Sequence, residues 1–152
     1  MPVFDRPWPP LPHLLWELPQ STLGAALYAL VHLTGRARSV ARRERRWLVE
    51  SPGLAISLGH FVFWCEGTSP FAFLDPATRD HEWGHTFQSR ALGPLYLPVV
   101  GLASSARVAY AVAYRAATGR RWRGYFDGFP EAQADRLGGV DRAAMKSAWP
   151  LD

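Results

Sequence analysis

A chain of 152 residues with 48% hydrophobic and 20% charged side chains can bury a single core, which excludes a disordered polypeptide. Its lone cysteine, Cys65, excludes an internal disulfide and suits a reducing cytoplasm. The formal charge of +4 is concentrated in runs of arginine and does not by itself name a partner.

The first ten residues, Met1-Pro2-Val3-Phe4-Asp5-Arg6-Pro7-Trp8-Pro9-Pro10, lack a basic segment leading into an apolar run, so no secretory signal is expected. Proline spacing over residues 1–20 predicts an extended arm that packs on the domain through Trp8 and Trp16. Ser21-Thr22 predicts the start of a helix reaching about Leu33, stopped by Gly35. Six arginines follow between Arg36 and Arg46. No nucleic-acid-binding motif accompanies them, so they are expected on a solvated helix face, with no nucleic-acid partner.

Arg45 to Glu50, Ser51-Pro52-Gly53 and Leu54 to Trp64 read as strand, turn and strand. The second strand is aromatic-rich and is expected at a sheet edge, with Gly59 to Phe63 pairing the backbone of a peptide substrate. His60 inside it is expected to be a satisfied core or cleft histidine, and Cys65 a buried small hydrophobe.

Asp75 as N-cap, Pro76 at the first helical position and a stop at Gly93-Pro94 predict a helix from about Pro76 to about Leu92. It carries His81-Glu82-Trp83-Gly84-His85, an HExxH sequence. Residues i and i+4 share a helix face, so His81 and His85 can offer two imidazoles to one metal ion. Glu82 then stands where its carboxylate can act as general base on a water at the metal. Gln88 is expected to have a structural role on the same face.

Farther on, the apolar stretch Leu95 to Val100 is broken by Pro98, and Ser104-Ser105 is expected to cap a helix through about Thr118. Apolar segments Leu23 to Leu33, Leu95 to Ala103 and Val108 to Ala113 are each too short for a bilayer core of ~30 Å. Together they admit a membrane-surface contact, with ordinary core helices as the default. A short helix is predicted around Glu131, with Asp127 and Pro130 before it and Gly138-Gly139 after it; residues 140–152 form a tail.

A catalytic zinc usually takes three protein ligands. A third histidine in HExxHxxGxxH is excluded, because Gln88 and Ala91 stand at the required positions. Glu131 can serve instead. Asp135, one turn on and on the same face, can accept a hydrogen bond from the far nitrogen of a ligand histidine.

HExxH followed by ExxxD resembles the gluzincin clan of zinc metallopeptidases. The resemblance spans roughly Leu58 to Gly139 and is specific at His81, Glu82, Gly84, His85, Glu131 and Asp135. His85 to Ser89 and Gly93 to Pro98 are also similar to a family of small, mostly uncharacterised bacterial HExxH proteins. The clan implies a small α+β zincin-like domain, with a β-hairpin or short sheet packed on the HExxH helix and a second, glutamate-bearing helix. It implies Zn2+ held by His81, His85 and Glu131, with a peptide or protein substrate adding to an edge strand above the zinc helix. The clan's oxyanion-stabilising Tyr or His has no assigned counterpart. Tyr125, Tyr114 and Arg136 are candidates by sequence proximity, although a core place for Tyr114 and a surface place for Arg136 are the commoner outcomes. The rival readings are a non-catalytic zinc-binding protein and a membrane-surface interaction protein.

Overall fold

N-terminal prolines open helices in this protein and not an extended arm. A computed structural model describes residues 10–65 and 77–142. Helix α1 covers Pro10–Trp16 and α2 covers Leu18–Leu33. The expected arm is thus helical from Pro10 onward, and α2 begins at Leu18 instead of Ser21. Pro10, Pro12 and Pro19 sit in first turns, where a backbone N–H has no intrahelical acceptor to lose. Trp8, the Asp75-Pro76 cap and most of the tail lie outside the described residues. Trp16 does reach across the domain: its indole N–H donates to the Arg90 carbonyl at 2.9 Å. Its ring also covers Gly93, where any Cβ would collide with it.

Strands β1 (Ser39–Arg43), β2 (Arg46–Glu50), β3 (Ile56–Leu58) and β4 (Phe61–Trp64) form one mixed sheet in the order β1-β2-β4-β3. The arginine run is therefore a hairpin, not a helix face. Glu44 and Arg45, with φ of 46° and 66°, form its two-residue turn, a left-handed pair that matches the twist of the flanking strands. The single strand expected from Leu54 to Trp64 is also folded in two. Gly59, at φ +60°, reverses the chain so that Leu58 faces Phe61. Strand β4 then lies between β2 and β3 with both edges paired. No peptide can add at Gly59 to Phe63. The open edge on that side is β3.

The sheet's two faces follow from alternation. Trp47, Val49, Phe61 and Phe63 pack under Leu27, Tyr28 and Val31 of α2. On the other face, Leu48, Val62 and Trp64 pack on Trp83 and Phe87 of α3 (Thr78–Leu92). The expected α+β domain, a short sheet on the HExxH helix, is what forms, with α2 as an additional layer on the far face. Burial of Val49, Val62 and Phe63 to zero exposure stabilises this sandwich by roughly 1.5–3 kcal/mol per side chain.

Beyond α3, a 3₁₀ turn (Gly93–Leu95) and a π-helical turn (Leu97–Gly101) run into α4 (Leu102–Thr118). Ser104-Ser105 lies inside this helix and caps nothing. The wide π turn accommodates Pro98, which has no N–H to donate. Helix α5 (Glu131–Gly138) follows the cis Phe129–Pro130 peptide and ends at Gly139, φ +76°.

One buried polar layer has no counterpart in the sequence reading. Arg46, expected among solvated arginines, is fully buried. Its Nη2 lies 3.0 and 2.8 Å from the two carboxylate oxygens of Glu17, and its Nη1 reaches the Gly59 carbonyl. The Ser89 hydroxyl donates to the same carboxylate, and the Gln20 amide donates to Ser89 Oγ at 3.1 Å and the Gly93 carbonyl at 3.0 Å. This layer joins α1, α2, the sheet and the end of α3.

Candidate metal centre

The spacing of His81 and His85 places their rings edge to face on α3, with centroids 4.8 Å apart. Gly84, between them, faces α5. A Cβ on Gly84 would enter the Ala134 carbonyl, and one on Gly138 would enter the Asp80 carbonyl. The two helices therefore meet backbone to backbone. That close approach brings Glu131 and Asp135 to the histidines. Gly84→Ala is expected to cost about 3 kcal/mol, the upper end for overpacking, because the obstacle is main chain and cannot rotate away. Denaturant melts beside a Ser105→Ala control would test this, and an unchanged midpoint would show that α5 can shift freely.

All four ring nitrogens have partners. His81 Nδ1 lies 2.7 Å from Asp135 Oδ1, and His85 Nδ1 lies 2.7 Å from Gln88 Oε1. His81 Nε2 and His85 Nε2 both face one oxygen, Glu131 Oε2, at 2.9 and 3.2 Å. Proton positions follow from these partners. Gln88 spends its amide N–H groups on the Pro130 carbonyl (3.0 Å) and Gln133 Oε1 (2.8 Å), so its carbonyl end faces His85. Each Nδ1 then carries the proton, and in neutral imidazoles both Nε2 lone pairs point at an anionic oxygen. That arrangement requires a cation in the middle, either a proton on each ring or one metal ion. The other oxygen of Glu131, Oε1, is buried without a partner. The ligand atoms of His81, His85 and Glu131 all lie within 4.8 Å of one another, so this donor set fits a zinc ion.

The surroundings hold these groups in place. Arg142 grips Asp135 with two hydrogen bonds, Nε to Oδ2 at 2.8 Å and Nη2 to Oδ1 at 2.7 Å, while its guanidinium stacks on Phe126. Burial disfavours a charged His81, but Asp135 and Glu131 outweigh it and hold the ring up at about 10. Burial likewise favours neutral Glu131, yet His81 and His85 keep it well below the ordinary carboxylate range. Glu82 is different: burial pushes it up, which makes it the better proton acceptor once ionised.

Glu82 shares with His81, His85 and Glu131 the wall of a cleft of about 820 Å³. Residues Ile56 to Leu58 of β3 line it too, so the strand edge available to an extended peptide is β3. Comparison with family models, with curated proteins and with solved structures gives no match.

His81, Glu82, His85, Glu131 and Asp135, singled out in the sequence, are thus brought together. Among the oxyanion candidates, Tyr125 lines the cleft and its phenol is kept protonated by burial. Tyr114 stacks on Tyr110 of α4, and Arg136 is exposed on α5; neither lines the cleft. The structural role expected of Gln88 is the holding of His85, and two further residues, Arg142 and Tyr96, escaped the sequence reading. Arg142 anchors Asp135, and Tyr96 lines the cleft while donating its phenol to the Ser57 carbonyl at 3.0 Å. Arg142 is returned to Asp135 by the turn at Gly139, and Tyr96 depends on a long-range contact with β3.

A second triad, His13, Glu17 and His60, also lies within metal-ligand spacing. Here Arg46 already occupies both oxygens of Glu17, so a metal ion would meet a guanidinium. His60 is half-buried in the β3–β4 turn, bonded to Ser21 Oγ at 2.9 Å, and burial together with Arg46 pushes it down to about 4. It is a satisfied histidine, as its sequence context suggested.

Proposed function

We propose that this protein is a zinc-dependent metallopeptidase that uses His81, His85 and Glu131 as ligands and Glu82 as general base. The observation that carries this reading is the convergence of two Nε2 atoms on one buried carboxylate oxygen while both Nδ1 atoms are locked by acceptors. A zinc ion so held would supply Lewis acidity toward a scissile carbonyl and make a nearby water more acidic. Asp135, pinned by Arg142, fixes the tautomer of His81, and Gln88 does the same for His85. Glu82 accepts the proton from the attacking water and returns it to the leaving amine. Strand β3 offers its open edge to the substrate backbone, and the Tyr125 phenol is a donor within the cleft for charge developing on the carbonyl oxygen. The location of the triad in an open cleft beside Glu82 favours catalysis over a purely structural zinc clamp.

The test is elemental analysis of the purified protein. About one zinc per chain is expected, and its loss in both His81→Ala and Glu131→Ala. Protein that takes up no zinc even when zinc is offered would overturn the proposal.

A further inference from the structure

The helix that forms one side of the cleft is long, apolar and mostly exposed. Leu97–Thr118 is continuous and 22 residues long, and its most apolar 18-residue stretch has a mean hydropathy of 1.3. At 1.5 Å per residue that is about 33 Å, close to the ~30 Å of a bilayer's hydrocarbon core. Yet only Val100 and Ala111 along it are buried. Val99 (42% exposed), Leu102 (67%), Tyr110 (53%) and Val112 (43%) all face outward. An exposed apolar helix face of this length is covered by a larger core or by lipid.

Its charges fit the second environment. Arg107, in the middle of the helix, is turned inward: its Nε donates to the Tyr125 carbonyl at 2.8 Å, its Nη2 to the Gly124 carbonyl, and the guanidinium lies over Trp122. Arg115 lies in the last turn, and Arg120, Arg121 and Arg123 follow at once, all exposed. Beside them Tyr110 stacks on Tyr114 and meets Trp122 edge to face. Aromatic rings and arginines at one end of an apolar helix match the headgroup zone, where anionic lipids attract the cations. Helix α2 repeats the pattern. It contains no Asp, Glu, Lys or Arg from Leu18 to Leu33, exposes Leu23, Leu30 and Leu33, and is followed by exposed Arg38. Leu23 of α2 and Leu97 and Leu102 of the long helix line the same cleft as His81 and Glu82.

We infer that the exposed faces of α2 and of Leu97–Thr118 seat the protein in an anionic lipid bilayer, with the cleft opening on the lipid side. Resting on the peptidase reading, the substrate class is then a polypeptide segment held in or against the membrane, extended along β3.

The experiment is flotation of the full chain with vesicles of phosphatidylcholine alone or mixed with phosphatidylserine. Zinc content is measured in the same fractions. Wild-type protein is expected to float, more completely with the anionic vesicles. Val112→Glu and Leu30→Glu, at exposed positions outside the cleft, should each reduce the floated fraction roughly tenfold or more while keeping zinc. Arg120→Glu with Arg121→Glu should abolish the preference for anionic lipid. Wild-type protein that stays monomeric in detergent-free buffer and ignores both vesicles would overturn the inference. A soluble dimer broken by Val112→Glu would also overturn it and assign the face to a second copy. Flotation without zinc would leave the lipid contact standing and sink only the peptidase reading; zinc without flotation would do the reverse.

Discussion

Glu82→Gln is expected to leave zinc bound and to reduce peptide hydrolysis by roughly 10²–10⁴-fold, the range that a positioned general base contributes. The substitution keeps the shape of the side chain and removes its ability to accept a proton. None of the contacts that hold His81, His85 and Glu131 passes through Glu82, so the ligand set should survive. Cleavage of a peptide library followed by mass spectrometry, with zinc measured on the same protein, reads both halves of the expectation. Turnover undiminished by the substitution would remove Glu82 from the mechanism. A wild-type protein that binds zinc and cleaves nothing in any lipid or detergent would return the centre to the role of a clamp.

The second large effect lies away from the cleft. Arg46→Met should destabilise the fold by about 3–5 kcal/mol, the cost of stranding a buried charge. Glu17 would remain at zero exposure with its cationic partner gone. Both members are shifted down, which favours the charged form of Glu17 and disfavours that of Arg46. Burial would raise Glu17, but His13, Arg46 and Ser89 together hold it down at about 2. Burial pushes Arg46 below its ordinary value, and Glu17 only partly offsets that. The pair as a whole is therefore worth less than the carboxylate alone would indicate. Because the folded Glu17 titrates below the unfolded one, its stabilisation is present above the ordinary carboxylate range. It is lost as pH falls from about 4.5 toward about 2. Urea melts across that acid range should show a falling stability in wild type and a shallower fall in a Glu17→Gln, Arg46→Met double variant. Arg46→Met with an unchanged midpoint would mean that water already reaches the pair.

Sequence and structure divide this protein along a physical line. What depends on neighbours a few residues apart could be read directly. HExxH puts two imidazoles on one helix face because 3.6 residues make a turn, and ExxxD puts two carboxylates on another for the same reason. Gly138-Gly139 ends α5, and the alternation of Trp47 to Val49 and Phe61 to Trp64 marks strands with two buried faces. From these the α+β class and the five central residues follow. Wherever the answer depended on which distant segment arrives, local spacing was silent or wrong. The extended arm became helical, since prolines suit first turns as well as they suit extended chain. A run read as one edge strand became a hairpin whose inner strand is paired on both sides, because Gly59 turns the chain and β2 then pairs parallel to β4. Arg46 looked like its exposed neighbours until Glu17 met it in the core. Gln88 is fixed by Pro130 and Gln133, and the Asp135 held by Arg142 meets His81, because Gly84 and Gly138 let α3 and α5 touch main chain to main chain. Periodicity is a property of one segment and survives in any fold. Pairing, burial of charge and the orientation of a ligand are properties of two segments, and only the tertiary structure brings the second one into place.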